Sequence, residues 1–451
     1  MFKKLLVANR GEIALRIIRA CQELGIKTVA VYSEPDRESL HVRFADEAVC
    51  IGPASPSESY LDVARIIAAA EITGAEAIHP GYGFLAENAE FSEICRRSDI
   101  VFVGPSADQI EAMGDKATAR ETMQRLGVPT VPGSEGLVAD LEGATRIACD
   151  IGFPVMLKAS AGGGGKGMRV VENEGELSRL FHTTKAEAEA TFGNSDVYIE
   201  KYISEIRHVE IQIFGDSHGK VVHLGERDCS TQRRHQKLIE ESPSPGMTSK
   251  MRREMGEAAI AAGQGIDYVG AGTVEFLLDG QANFYFIEMN TRIQVEHPVT
   301  EVVTGLDLVK EQVRVASGEK LSFPSGDLSL QGHCIEFRIN AEDPAQNFRP
   351  SPGRIKTFQP PGGPGIRLDT HLYAGYEVPP YYDSLLAKLI VSGTNREEAI
   401  IRGRYALDSF IIEGIHTSIP FLSQITRDAE FIAGGVNTGF VDEFMKRWDK
   451  E

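Results

Sequence analysis

The chain of 451 residues lacks any apolar run near the roughly 18 residues that a membrane-spanning helix needs. Cysteine is scarce. The six that occur (Cys21, Cys50, Cys95, Cys149, Cys229 and Cys334) are widely scattered, with no CxxC pair and no Cys/His cluster. That argues against both a disulfide scaffold and a structural zinc site. Cationic excess is also missing. The formal net charge is −18, which argues against nonspecific binding of nucleic acid. If the substrates are anions, they must be attracted locally, so any cationic cluster becomes informative. The opening Met1-Phe2-Lys3-Lys4-Leu5-Leu6-Val7 turns polar at Asn9-Arg10, too early for a signal peptide. A cytoplasmic location is expected. Internal repeats and long low-complexity segments are absent too, which removes solenoid and disordered classes.

What is present is an ordinary globular composition, 42% hydrophobic and 25% charged, at a length that suggests two to four domains. The first stretch alternates. Leu5 to Ala8 reads as a strand, Glu12 to Leu24 as a helix with Ile13, Ile17, Cys21 and Leu24 on one face, and Thr28 to Tyr32 as a strand. The pattern continues with helix Leu61 to Ile72, strand Glu76 to His79, helix Glu87 to Arg97 and strand Ile100 to Gly104. This predicts a parallel sheet covered by helices. A second region, from about Met113, mixes β-pairs around His208 to His223 and Gly272 to Met289 with helices Lys116 to Leu126, Ser249 to Gln264 and Glu301 to Ser317. It reads as α+β. A third follows the Pro/Ser/Gly-rich stretch Ser322 to Ser329, with strands His333 to Ile339, Gly365 to Thr370 and Leu385 to Val391, then helix Arg396 to Ile412.

Gly162-Gly163-Gly164-Gly165-Lys166-Gly167 lies between two apparent strands. Glycines let backbone amides approach phosphate oxygens. The loop is not a Walker A motif, because Gly167 stands where Ser or Thr is required. A lid closing over a nucleotide fits better than a flexible linker. Lys158 ends the apolar run Val155-Met156-Leu157 just before it, and a buried ammonium there needs an anion such as phosphate. Lys116 is a weaker candidate of the same kind.

Gly272 to Leu278 and Phe284 to Asn290 read as a hairpin with its turn at Asp279 to Asn283. Alternation is expected to put Glu288 and Asn290 on one face with Phe284 and Phe286. Glu275 joins them if it pairs with Phe286 or Glu288. Two carboxylates and an amide oxygen suit Mg²⁺ held jointly with phosphates; a solvent-facing strand is the plain alternative. Arg227 to Lys237 is locally basic, either a solvated loop or a binding cluster. In Asn290-Thr291-Arg292-Ile293-Gln294-Val295-Glu296-His297-Pro298, Arg292 offers a fork for a planar anion and Glu296 a base. Glu296 is otherwise an ordinary acid at a helix N-terminus.

Taken together, Val7 to Ala14, His79-Pro80-Gly81-Tyr82-Gly83-Phe84-Leu85, the glycine loop, Glu226 to Ser230, Arg233 to Lys237, Glu288 to His297, Arg338-Ile339-Asn340-Ala341-Glu342 and Tyr381 to Leu385 resemble biotin carboxylase, from about residue 2 to 445. The resemblance is to the subunit of an acyl-CoA carboxylase of the acetyl-CoA type, in the ATP-grasp superfamily. A two-subunit pyruvate carboxylase or another acyl-CoA carboxylase is the alternative setting. Other ATP-grasp ligases share the lysines and metal acids, but are not expected to carry the Arg338 and Tyr82 motifs together.

The resemblance implies an α/β and α+β multidomain fold. Its parts are a pre-ATP-grasp parallel-sheet domain (1–113), an ATP-grasp domain (114–320) with a lid at about 131–204, and a small C-terminal domain (330–446). It implies that Lys116, Lys158, Gly164, Gly165, Glu200, Lys201, Tyr202, Ile203, His208, Gln232 and His235 contact ATP. Glu275, Glu288 and Asn290 would hold two Mg²⁺ or Mn²⁺ ions, the two acids also facing the ATP phosphates. Lys237, Arg292, Gln294 and Val295 would hold bicarbonate, and Glu296 would deprotonate it. Tyr82 and Gly83 would line the biotin pocket, with Arg338 at the ureido oxygen. Implied partners are a biotin carboxyl carrier protein, carboxyltransferase subunits and a second copy in a homodimer; nucleic acid and membrane are not expected. The chain itself is not expected to be biotinylated, because it stops at Glu451 and Ser249-Lys250-Met251 lacks a preceding Met.

Overall fold

The computed structural model describes every residue except 135, 161–166, 324–328 and 449–451. Gly164 and Gly165 therefore lie outside the described residues.

The N-terminal region forms a five-stranded sheet, parallel throughout, with Lys4–Val7 at its centre. Lys27–Ser33 and Glu47–Gly52 extend one side, Ala77–His79 and Val101–Phe102 the other. Strand order thus reverses at Lys4–Val7, and in such sheets the crevice beyond the strand C-termini at the reversal is where ligands sit. Two loops meet there. Asn9 Nδ2 donates to the carbonyls of Pro80 (2.6 Å) and Tyr82 (2.8 Å), tying the start of helix Gly11–Glu23 to the loop that carries Tyr82. Ile13, Ile17 and Cys21 bury the inner face of that helix, as their spacing predicts. Strand Glu47–Gly52 was not anticipated, because most of its residues are exposed or half-exposed and the strand has no buried apolar alternation.

The second sheet has eight antiparallel strands in the order Phe284–Asn290, Gly270–Leu278, Arg207–Gly215, Val221–Arg233, Gln236–Ser242, His333–Asn340, Leu385–Gly393, Ile366–Thr370. It runs without interruption from the second region into the third. Gln236–Ser242 pairs with Val221–Arg233 on one side and with His333–Asn340 on the other. A separate three-stranded sheet (Met168–Val171, Val155–Ala159, Val197–Lys201) packs its own apolar core against helices Leu141–Ile151 and Glu174–Phe192.

Two expectations are corrected, and one pair of alternatives is decided. The helix expected over Glu301 to Ser317 is two helices, His297–Thr304 and Leu308–Ala316. Gly305 ends the first in the left-handed region (φ +71°), and the Asp307 carboxylate caps the second at Lys310 N. The helix from Arg396 stops at Ser409, and Ile411–Glu413 pairs as a strand with Thr357–Gln359. The stretch from Arg227 to Lys237 is no solvated loop. It is the end of one strand, a turn at Arg234 and His235 with positive φ, and the start of the next.

Candidate active site

Arg207–Gly215 alternates strictly. Val209, Ile211 and Ile213 enter the core, leaving His208, Glu210 and Gln212 on the opposite face. Its neighbours align Arg227 and Glu275 directly with Glu210, so three strands deliver a cation and two carboxylates in one row. Arg227 is fully buried. Its guanidinium donates to Glu210 (2.5 Å), Gln212 (2.6 Å), Thr300 (3.1 Å), Thr273 (3.0 Å) and Gln294 (2.7 Å). Removing one partner of such a pair leaves an uncompensated buried charge. Arg227→Met is expected to destabilise the protein by about 3–5 kcal/mol, read as a lowered midpoint in chemical denaturation; a midpoint within error of the parent would contradict this account.

Lys237 extends over the same face. Its ammonium reaches Glu210 (2.6 Å), Glu296 (2.6 Å) and Glu275 (3.3 Å). Burial opposes its charge, but the surrounding Cys229, Glu210, Glu275 and Glu296 outweigh burial and raise its pKa well above the ordinary lysine value. Glu296 is 2% exposed and also accepts from Arg338 Nη2 at 3.0 Å. Burial alone would lift its carboxyl. Lys237, Arg338 and Arg227 prevail and hold it well below the usual carboxylate range. Arg338 is itself held through Nε by Glu240 at 2.6 Å.

The hairpin places Glu275 opposite Glu288 and Thr273 opposite Asn290. A bulge follows, so that Phe276 faces Phe286 and residue Ile287 is the extra one. The expected face is therefore corrected. Phe284 and Phe286 turn into the core with Val274 and Phe276, while Glu288 and Asn290 turn the other way with Glu275. Glu275 accepts from His208 (2.7 Å), Asn290 (2.8 Å) and Gln294 (2.8 Å), and Glu288 pairs with Lys116 at 3.1 Å. Burial works against the charge of Glu275, but Lys237 and His208 pull its pKa down. Two opposed carboxylates, each already facing cations, with an amide oxygen on the same face, form a hard oxygen set that fits Mg²⁺ or Mn²⁺. His208, Glu210 and Glu275 also converge, their ligand atoms within 4.8 Å of one another, though the Lys237 ammonium already bonds both acids.

The remaining expected residues divide. Lys158 pairs with Glu200, which Arg120 also holds at 2.8 Å. Lys201 Nζ donates to the carbonyls of Gly152 (2.9 Å) and Phe153 (3.1 Å); Tyr202 and Ile203 follow it, half-buried. Gln232 Nε2 lies 3.2 Å from His208 Nδ1. His235 is exposed at the hairpin turn. Arg292 turns its Nε to Glu87 (2.8 Å) and Nη2 to Asn290 (2.9 Å). Gln294 spans Arg227 and Glu275, and the Val295 carbonyl accepts from Lys388 at 3.0 Å. Tyr82 donates to Glu12, and Gly83 is exposed beside it at φ +66°.

Sequence reasoning missed Glu210, Arg120, Glu87, Glu240, Glu12 and Lys388. Two had a legible signal. Glu210 alternates with His208 and Gln212, and Lys388 is a lone cation in Leu385-Leu386-Ala387-Lys388-Leu389-Ile390-Val391, the same signature that singled out Lys158.

Comparison with known proteins bears on this constellation. Residues 1–110 match the family "Biotin carboxylase, N-terminal domain", 115–323 "Carbamoyl-phosphate synthase L chain, ATP binding domain", and 336–443 "Biotin carboxylase C-terminal domain". Biotin carboxylase 1 of Bacillus subtilis is 58% identical over 98% of this chain and 99% of its own. A pyruvate carboxylase subunit from Methanothermobacter thermautotrophicus is 55% identical over 100% of this chain and 92% of its own. Among solved structures, the biotin carboxylase domain of a thermophilic 2-oxoglutarate carboxylase bound to bicarbonate superposes with TM-score 0.95 at 51% identity, covering 100% of this chain and 99% of that one. The Campylobacter jejuni biotin carboxylase complex gives 0.92 at 50% identity, covering 98% and 99%.

Proposed function

We propose roles for these residues from a plain premise: the chain belongs to the biotin carboxylase family and carboxylates biotin with bicarbonate, converting ATP to ADP and phosphate. The observation that carries the assignment is Glu296, buried between Lys237 and Arg338, with Lys237 also reaching Glu275, the acid opposed to Glu288.

Lys116 and Lys158 meet the ATP phosphates, with Gly164 and Gly165 of the lid. Glu200, Lys201, Tyr202, Ile203, His208, Gln232 and His235 hold the rest of the nucleotide. Glu275, Glu288 and Asn290 would hold Mg²⁺ or Mn²⁺, which when bound neutralises phosphate charge. Lys237, Arg292, Gln294 and the Val295 amide bind bicarbonate, which requires Arg292 to swing part of its fork away from Glu87. Glu296 takes the bicarbonate proton. Its low proton affinity keeps it ionised and ready; an anion arriving among the same cations weakens their hold on it and raises that affinity. The deprotonated bicarbonate attacks the γ-phosphorus, and Lys237 meets the developing charge. Carboxyphosphate then yields CO₂ and phosphate, and phosphate takes the N1 proton of biotin in the pocket of Tyr82 and Gly83. Arg338 stabilises the ureido enolate that captures CO₂. The test of the whole reading is ADP release that requires bicarbonate and rises with biotin. ADP release indifferent to both would refute it.

Arg338→Gln separates the two halves. Biotin carboxylation is expected to fall about 10²–10³-fold, the effect of losing one oxyanion donor, with a smaller loss in bicarbonate-dependent ATP cleavage measured without biotin. Equal losses in both assays would remove Arg338 from the enolate step.

We further propose that the biotin is carried by a separate carrier protein. In support, Lys250 lies in the first turn of helix Ser249–Gln264, which Thr248 caps, and not at a hairpin tip. Carboxyltransferase subunits choose the acceptor, which fits relatives named for pyruvate and 2-oxoglutarate carboxylases at 51–55% identity. A homodimer is supported by the related 2-oxoglutarate carboxylase domain, described as a dimer. We place the enzyme in the cytoplasm. Among the described residues no helix is long and apolar enough to cross a membrane, and all six cysteines are free.

A further inference from the structure

Val295 and Glu296 are consecutive, and two opposed cations grip them. Arg338 and Lys388 are direct partners on neighbouring strands. Arg338 Nη2 reaches the Glu296 carboxylate at 3.0 Å, and Lys388 Nζ donates to the Val295 carbonyl at 3.0 Å. Lys388 has no exposed surface, so its ammonium must be compensated inside the protein. Its counter-charge is Glu12, 3.1 Å away and also buried. The Glu12 oxygen facing Lys388 accepts the Tyr82 hydroxyl as well, and the Tyr82 ring lies 5.9 Å from Lys388 Nζ. Each member comes from a different segment: helix Gly11–Glu23, the loop after Ala77–His79, strand Leu385–Gly393, and the loop before helix His297–Thr304. No surface ion pair accounts for this placement, since the ammonium ends on a backbone carbonyl beside the base.

The Val295 carbonyl belongs to the peptide group whose nitrogen is that of Glu296. Fixing that carbonyl fixes the peptide plane from which the Glu296 side chain departs. The preceding carbonyl, Gln294, is fixed independently by His297 Nδ1 at 2.7 Å. We propose that Lys388 is a positioning residue for the bicarbonate loop, and that Glu12 and Tyr82 hold it there, so that one buried chain, Tyr82–Glu12–Lys388–Val295, joins the biotin pocket to the base. This rests on the roles assigned above to Tyr82, Val295 and Glu296. Misplacing a base by a fraction of an ångström costs rate without costing nucleotide affinity.

The test measures bicarbonate-dependent ATP cleavage without biotin. Lys388→Met alone strands the Glu12 charge and is expected to lower thermal stability. The double variant Lys388→Met/Glu12→Gln removes that charge, regains stability, and still lacks the donor to Val295. Its kcat/KM for bicarbonate is expected to fall at least tenfold, with KM for ATP within twofold of the parent. Tyr82→Phe deletes one hydroxyl in the biotin pocket; without biotin present it is expected to lower the same kcat/KM at least threefold. Bicarbonate kinetics within twofold of the parent in a folded double variant, or ATP and bicarbonate parameters shifting equally, would overturn the positioning role. An unaltered Tyr82→Phe would remove the link to the biotin pocket, and decides the matter if the double variant does not fold. Glu296→Gln runs alongside. If it too is unimpaired, the assigned roles fail; if it alone is impaired, only the buried chain does.

Discussion

Glu296→Gln is expected to lower bicarbonate-dependent ATP cleavage by about 10²–10⁴-fold, the usual contribution of a positioned general base, while nucleotide affinity stays within a fewfold of the parent. Gln keeps the volume and one acceptor, so Lys237 retains a partner at the position it now holds at 2.6 Å. What is lost is the ability to take a proton and the negative charge between Lys237 and Arg338. Several nucleotide residues lie on elements other than the loop that carries Glu296. Lys158 and Glu200 belong to the three-stranded sheet, and Lys116 opens helix Lys116–Arg125. Calorimetric titration with ADP alongside steady-state kinetics separates the outcomes. A collapse of ADP affinity matching the loss of turnover would make Glu296 a structural acid or a metal ligand.

Glu288→Gln should be nearly as severe for a different reason. Glu288 is the more exposed of the opposed acids, and its only ion pair among the described residues is with Lys116. Replacing it removes one of two charged oxygen donors and also frees Lys116. Charge stabilisation by a bound metal is worth several kcal/mol, so a loss of about a hundredfold or more is expected at ordinary Mg²⁺, partly recovered at high Mg²⁺. Turnover near that of the parent at ordinary Mg²⁺ would sink the assignment of this strand. The neighbouring Glu275 cannot stand in for it, because its carboxylate already counts as the other charged donor of the set and is held in its own place by His208, Asn290, Gln294 and Lys237.

Local periodicity made much of this legible. The alternation of strands and helices in the first hundred residues gave a parallel sheet, and the spacing of Ile13, Ile17 and Cys21 gave the buried face of its first helix. The turn length allowed Glu275 to pair with Phe286 or Glu288, and the pairing is with Glu288. What stayed hidden was non-local or a break in period. The bulge at Ile287 turns Phe286 and Glu288 to opposite faces, and no composition rule announces one extra residue. Gly305 splits a helix that otherwise keeps its apolar spacing. Arg227 to Lys237 looks like a charged loop because its cations are compensated by acids on other strands, Glu210 above all, which a linear reading does not bring together. Glu87, about 200 residues from Arg292, had no signal of its own beyond standing next to the Tyr82 motif.

The continuous sheet has a consequence for anyone who would divide this protein. Strands Gln236–Ser242 and His333–Asn340 are hydrogen-bonded neighbours, and Arg338 on one reaches Glu240 on the other. A cut between residues 324 and 328 would look harmless in the sequence, since a Pro/Ser/Gly-rich stretch surrounds it. It would separate the two strands onto different fragments, each with a long unpaired edge and a buried charge left behind. Such edges seek any partner strand available. Fragments made apart should self-associate before they find each other, whereas fragments made together should zip along this one seam.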